Sequence, residues 1–156
     1  MIQKLTFLIQ LYFIYKNKNF KYLDDKHQII VGKSDPQNDI FDTILFANRD
    51  IKVAFIPKNI KYIKPYEFEC CKLLNKIEFE EDSQLSYINK CAFSRSVLVS
   101  ITIPKSVIKI QSNAFNFCSS LRKVVFENES KLISIKDETF FFDIDLRLIK
   151  IPENSS

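Results

Sequence analysis

The chain has 156 residues, 46% of them apolar, with 15 Phe, a single Gly and a formal net charge of +4. That length suits one domain, and that apolar content excludes a disordered chain. Lys and Glu are interleaved with no run of five basic residues, which argues against the clustered cations of a nucleic-acid interface.

In chain order, the first segment is residues 1–28, opening "MIQKLTFLIQLYFIYKNKNFKYL". Lys4 followed by Leu5–Tyr15 resembles a short signal peptide, but Gln10 interrupts the run and no small-residue cleavage site follows. Eleven residues are too few to span a bilayer. The segment is a weak signal-peptide candidate or a buried cap, and no transmembrane span is expected. His27, the only histidine, stands beside Lys26 and reads as a surface residue.

Residues 29–50 read as a strand-helix cap. "QIIV" (28–31) is strand-like, and Ser34 and Asp35 precede Pro36 as at a helix start. Ile40, Phe41, Ile44 and Leu45 would then share one helical face.

From residue 51 the chain repeats. The phrase L-x-x-I-x-I/F occurs at Ile51-Ala54-Ile56, Leu74-Ile77-Phe79, Leu98-Ile101-Ile103, Leu121-Val124-Phe126 and Leu146-Ile149-Ile151. The starts at 51, 74, 98, 121 and 146 give a period of 23 to 25 residues. Between phrases come an aliphatic pair three apart (Ile60-Ile63, Leu85-Ile88, Val107-Ile110, Leu132-Ile135) and, five residues on, Phe68, Phe93, Phe115 or Phe140. Two subtypes alternate. Ile-Pro closes the phrase at 56–57, 103–104 and 151–152, whereas Phe-Glu closes it at 79–80 and 126–127 with two extra residues in "EEDSQ" and "ENESK". Those acidic stretches read as solvated turns.

Fixed apolar offsets at this period describe a solenoid. The period-2 phrase predicts one short strand per coil and the aliphatic pair a second. The architecture expected is therefore a leucine-rich-repeat-like solenoid, mainly short β-strands with helical turns, over residues 51–152, with a four-residue tail at 153–156. Each Phe should pack on the Phe of the neighbouring coil. With one Gly, the turns are expected to rely on Asn, Asp, Ser and Pro.

The phrases "LVSITIPKSVIKIQSNAFNFCSSL" (98–121) and "IKVAFIPKNIKYIKPYEFECCKLL" (51–74) closely resemble the BspA-like branch of leucine-rich repeat proteins. The lead-in at 29–51 is similar to that of surface antigens of parasitic protists, trichomonad type. Departures are Glu67 for Ala, Ser96 for Cys, and one residue fewer between Phe93 and Leu98. The resemblance implies a cell-surface or secreted protein that contacts other proteins or host surfaces. A cytoplasmic location is the alternative, since neither a convincing signal peptide nor a membrane helix is present.

Alternate residues of a strand point outward. They give two exposed columns, Val53, Lys76, Ser100, Lys123, Leu148 and Phe55, Glu78, Thr102, Val125, Lys150. Their mixture of apolar and charged side chains suits a protein partner. No cofactor and no metal are expected. Cys71 and Cys118 share a slot two coils apart, too far to bridge, and no C-x-x-C pair exists. A lone His leaves no nucleophile with a His base, and a lone Gly excludes a phosphate loop. "NES" at Asn128–Ser130 is a glycosylation sequon in an expected turn. The sequence therefore favours a non-catalytic binding module used in adhesion or protein recognition. Alternatives are an intracellular scaffold, or a truncated repeat protein whose C-terminal edge strand self-associates.

Overall fold

The structure is a computed structural model that describes residues 18–24, 26 and 28–151. The first residues, 1–17, lie outside it, and so do His27 and the tail from Pro152, with the readings made of them. Twelve strands follow in order: β1 (Phe20–Tyr22), β2 (Ile29–Gly32), β3 (Thr43–Ala47), β4 (Val53–Ile56), β5 (Tyr62–Ile63), β6 (Lys76–Phe79), β7 (Tyr87–Ile88), β8 (Ser100–Ile103), β9 (Lys109–Ile110), β10 (Lys123–Phe126), β11 (Ser134–Ile135) and β12 (Leu148–Lys150).

Each repeat contributes one face strand (β4, β6, β8, β10, β12) and one back strand (β5, β7, β9, β11). The back strands pair in parallel and join the N-terminal strands in one seven-stranded sheet, ordered β1-β2-β3-β5-β7-β9-β11. The face strands divide into β4-β6 and β8-β10-β12. The chain is thus a β-solenoid, as the period implies.

The core consists of stacked columns. Ile60, Ile63, Leu85, Ile88, Val107 and Ile110 are all 0% exposed. Phe68, Phe93, Phe115 and Phe140 stack in one line, with centroids 5.4, 5.3 and 5.4 Å apart and interplanar angles of 18°, 14° and 9°. The columns surface in the last described coil, where Ile149 and Ile151 are 42% and 56% exposed.

The helix expected within the 29–50 cap, from Ser34 on, is absent; among the described residues there is no helix. Asp35 Oδ1 accepts the Gln37 N–H (2.9 Å) and Asn38 Oδ1 the Ile40 N–H (2.9 Å), capturing donors that a first helical turn would use. Asp42, 2% exposed, accepts the Ser34 N–H (2.8 Å) and hydroxyl (2.7 Å). The β-branched Thr43 and Ile44 then pair with β2 on one side and β5 on the other. The helical spacing of Ile40 and Ile44 misled because tertiary pairing decides here: Ile44 is fully buried and Ile40 is exposed. The cap is an antiparallel β-hairpin. Its Gly32 is closely packed: a Cβ there would meet Leu45 Cδ1 at 2.5 Å, so a larger residue would need the Leu45 side chain to shift.

The turns also depart from expectation. Among the described residues, ten non-glycine residues hold positive φ, between 54° and 68°, and Gly32 is not in that region. Two per coil flank the stacked Phe: Tyr66 and Cys70, Cys91 and Arg95, Asn113 and Phe117, Glu138 and Phe142. The left-handed region costs such residues roughly 1–2 kcal/mol each. Six of them, Tyr66, Cys70, Cys91, Arg95, Asn113 and Phe117, donate into a ladder between coils. The N–H groups of Tyr66, Phe68 and Cys70 donate to Lys90, Ala92 and Ser94 carbonyls at 3.0, 2.9 and 2.9 Å, and the next coils repeat the pattern.

The alternation of Ile-Pro and Phe-Glu coils has a physical basis. Glu80 Oε2 accepts the Lys58 N–H (2.9 Å) and Glu127 Oε2 accepts the Lys105 N–H (2.9 Å). Each Phe-Glu coil thus satisfies a backbone donor just after the Pro of the preceding coil. Two glutamates of the stretches read as solvated turns are structural clamps.

Candidate functional site

The outward columns read from the sequence are neighbours in the structure. Val53 lies opposite Lys76, and Phe55 opposite Glu78. Ser100, Lys123 and Leu148 align across β8, β10 and β12, as do Thr102, Val125 and Lys150. All are exposed except the half-buried Val125. The inward residues between them, Ala54, Ile101 and Val124, are buried, so strand alternation alone aims the ladder at solvent. Phe55 is 54% and Val53 49% exposed. Lys76 Nζ lies 2.6 Å from Glu78 Oε1; both side chains are about half exposed, so the pair contributes little to stability.

The face is not uniform. No shared ladder joins β6 to its neighbour β8. Two sequence features coincide with the gap. The turn from Phe93 to Leu98, which leads into β8, is one residue shorter than its counterparts. At the other end Pro104 has no N–H, where Glu80 and Glu127 donate to the Ile56 and Ile103 carbonyls of their preceding coils at 2.9 and 3.0 Å. A hollow of about 470 Å³ lies at this gap, lined by Phe55, Ile77, Glu78, Phe79, Glu80, Glu81, Thr102 and Glu127. A second hollow on the far side of Phe55 is lined by Leu23, Asp24, Lys26, Gln28, Val53 and Pro57. The sequence reading named Phe55, Glu78 and Thr102 but missed Ile77, Phe79, Glu80, Glu81 and Glu127. The short turn was the available signal.

The turn edge carries buried polar groups. Cys71, Ser96, Cys118 and Asp143 occupy one slot, three residues after each stacked Phe. All four cysteines are free. Cys118 Sγ donates to the Phe93 carbonyl at 3.1 Å and lies 3.4 Å from Ser96 Oγ, and burial pushes its thiol up to about 12. Asp143 Oδ1 accepts the Cys118 N–H at 2.8 Å, while its buried Oδ2 has no partner, and burial raises the carboxyl to about 7. Glu67, in the slot that Ala92 and Ala114 fill elsewhere, is raised by burial to about 7 against the opposing pull of Arg49 and Lys64. Among the described residues no three His, Cys, Asp or Glu side chains gather as a metal site would need, and no helix is long and apolar enough to cross a membrane.

Comparison with known proteins agrees with this geometry. The BspA type leucine rich repeat region matches residues 40–156 in six copies. No curated protein matches the chain in sequence. The crystal structure of the pneumococcal vaccine antigen PcpA is similar, with TM-score 0.56 and 32% identity over 66% of this chain and 24% of that one. A leucine-rich repeat protein from Eubacterium ventriosum ATCC 27560 superposes with TM-score 0.64 at 19% identity, covering 87% of this chain and 40% of the other. The chain therefore spans less than half the length of either neighbour, and both are bacterial.

Proposed function

The chain belongs to the BspA type leucine rich repeat family, and we propose that it is a non-catalytic protein-binding module that recognises its partner through the face strands β4, β6, β8, β10 and β12. The observation that carries the reading is the outward ladder. Ten side chains, apolar, polar and charged, point outward in two columns, in register within β4-β6 and within β8-β10-β12, over inward residues that are packed in all but the last described coil. An exposed aromatic, Phe55, and aliphatic side chains set among charges suit protein recognition. Family membership and the likeness to a protein described as a vaccine antigen support a surface-associated role in adhesion or host-protein contact. An intracellular scaffold would use the same face.

The test is a paired retention experiment. The immobilised chain and its Phe55→Ser/Lys123→Glu variant are exposed to the same protein extract. Proteins retained by the former and lost by the latter, at equal melting temperature, are the expected result. Equal retention by both would remove this face from the reading. Biotin labelling of intact cells distinguishes surface display from an intracellular scaffold.

The exposed Ile149 and Ile151 of the last described coil favour a second reading, in which that edge meets another chain. Light scattering over a dilution series tests it, and a strict monomer at all concentrations discards it.

A further inference from the structure

We propose that the hollow between Phe55 and Glu127 is the specificity site of the face, and that it takes a basic peptide segment anchored by an apolar side chain. The proposal rests on the binding-face reading above and adds the chemistry of the partner.

The gap between β6 and β8 uncovers core. Ile77 is 6% exposed and Phe79 is only half-buried, whereas Ile56, Ile103 and Phe126 in the Phe79 column are at most 2% exposed. An apolar floor thus opens to solvent beside Phe55, whose ring is more than half exposed. Leaving two phenyl groups in partial contact with water is unfavourable, and an apolar guest covering both would recover that burial.

The rim fixes the sign of the guest. Four carboxylates line the hollow, Glu78, Glu80, Glu81 and Glu127, in a chain whose net charge is +4; no Lys or Arg lines it, and the one cation paired with the rim, Lys76 with its Nζ 2.6 Å from Glu78 Oε1, is in a solvent-exposed pair that an incoming cation can displace. A concave site of one sign focuses its field and draws the opposite charge. Glu80 and Glu127 each use Oε2 on one backbone N–H, and a carboxylate can accept several more hydrogen bonds. A Lys or Arg side chain matches this arrangement. Its alkyl stem covers Phe79 and Ile77 while its head group meets the carboxylates. The negative rim repels phosphate backbones. The ladder continuing to the exposed Val53 on one side and the half-buried Val125 on the other offers an extended peptide further contacts.

A phage-displayed dodecapeptide library panned on the full chain tests this, with the selected peptides resynthesised. The expected winners place Lys or Arg next to an aromatic or aliphatic residue. Their affinity should fall about tenfold for Glu78→Lys/Glu81→Lys, and again in roughly 0.5 M salt, because rim charges act by screened attraction. Glu80 and Glu127 stay intact because they clamp turns, and an unchanged thermal melt certifies the variant's fold. Phe55→Ser should weaken the same peptides. Winners without basic residues, lost in Phe55→Ser but indifferent to the charge variant, would overturn the proposal and leave the binding face standing. Winners indifferent to both variants would overturn both. A library that yields no winner on the wild-type chain would also count against the hollow.

Discussion

Truncating one ring of the phenylalanine column should reveal whether the solenoid is held by stacking along its length. Phe93 is fully buried between Phe68 at 5.4 Å and Phe115 at 5.3 Å. Phe93→Ala removes the burial of one phenyl group, leaves a cavity and breaks two stacked pairs. Core Phe→Ala changes cost about 3–5 kcal/mol, and offset-stacked pairs add roughly 0.5–1.5 kcal/mol each beyond burial. A loss of about 4 kcal/mol is expected, and the same for Phe115→Ala. Phe140 has one stacked neighbour and is only half-buried, so Phe140→Ala should cost about half as much. Phe93→Leu keeps most of the burial and should cost about 1–2 kcal/mol. Urea denaturation followed by far-ultraviolet circular dichroism measures the series. With a slope of about 2 kcal/mol per molar, Phe93→Ala should lower the midpoint by roughly 2 M. Equal losses at Phe93 and Phe140, or a loss below about 1 kcal/mol at Phe93, would refute a column that draws its strength from both neighbours.

Glu127→Ala should cost roughly 1–3 kcal/mol by stranding the part-buried N–H of Lys105, and Glu80→Ala less, because water can reach the exposed N–H of Lys58; Gln should recover part of each loss, and hydrogen exchange should accelerate at those two amides first. The Asp143 carboxyl is raised by burial from 3.8 to about 7, so the fold prefers its neutral form. Its contribution is fully present below pH 3.8 and is lost as pH rises through about 7. Urea midpoints at pH 5 and pH 8 should therefore differ more for the wild type than for Asp143→Asn; an equal difference would locate the pH dependence elsewhere, Glu67 being the other carboxyl raised to about 7. Native-state labelling with N-ethylmaleimide should reach the half-buried Cys70 and Cys91 but not the buried Cys71 and Cys118 until the chain unfolds, and a Cys71–Cys118 disulfide in non-reducing mass spectrometry would contradict the coil register.

Much of the solenoid is legible in one dimension because each coil buries the same few positions. Ile60, Ile63, Phe68 and their equivalents keep their spacing, since a residue that leaves its column would face two neighbours of the wrong shape. The outward ladder follows from strand alternation within the same phrase, so Val53 to Leu148 and Phe55 to Lys150 could be placed before any coordinates. Whatever depends on contacts between coils was not readable. The hairpin at residues 29–47 looked helical because Ile40, Phe41, Ile44 and Leu45 keep a helical spacing, while the pairing that makes Thr43–Ala47 a strand comes from β2 and β5. Most of the left-handed turn residues, Tyr66, Cys70, Cys91, Arg95 and Phe117 among them, are types that give no local sign of that conformation, and their hydrogen bonds run to the next coil. Glu80 and Glu127 looked like solvent-facing charges, and only stacking brings them to the donors at Lys58 and Lys105. The hollow beside Phe55 lies where the two face sheets part, beside the coil that has the shorter turn and Pro104. The periodic sequence determined the columns, because burial recurs with the period; the tertiary structure decided the cap, the turns and the hollow, because each depends on which coil lies next to which.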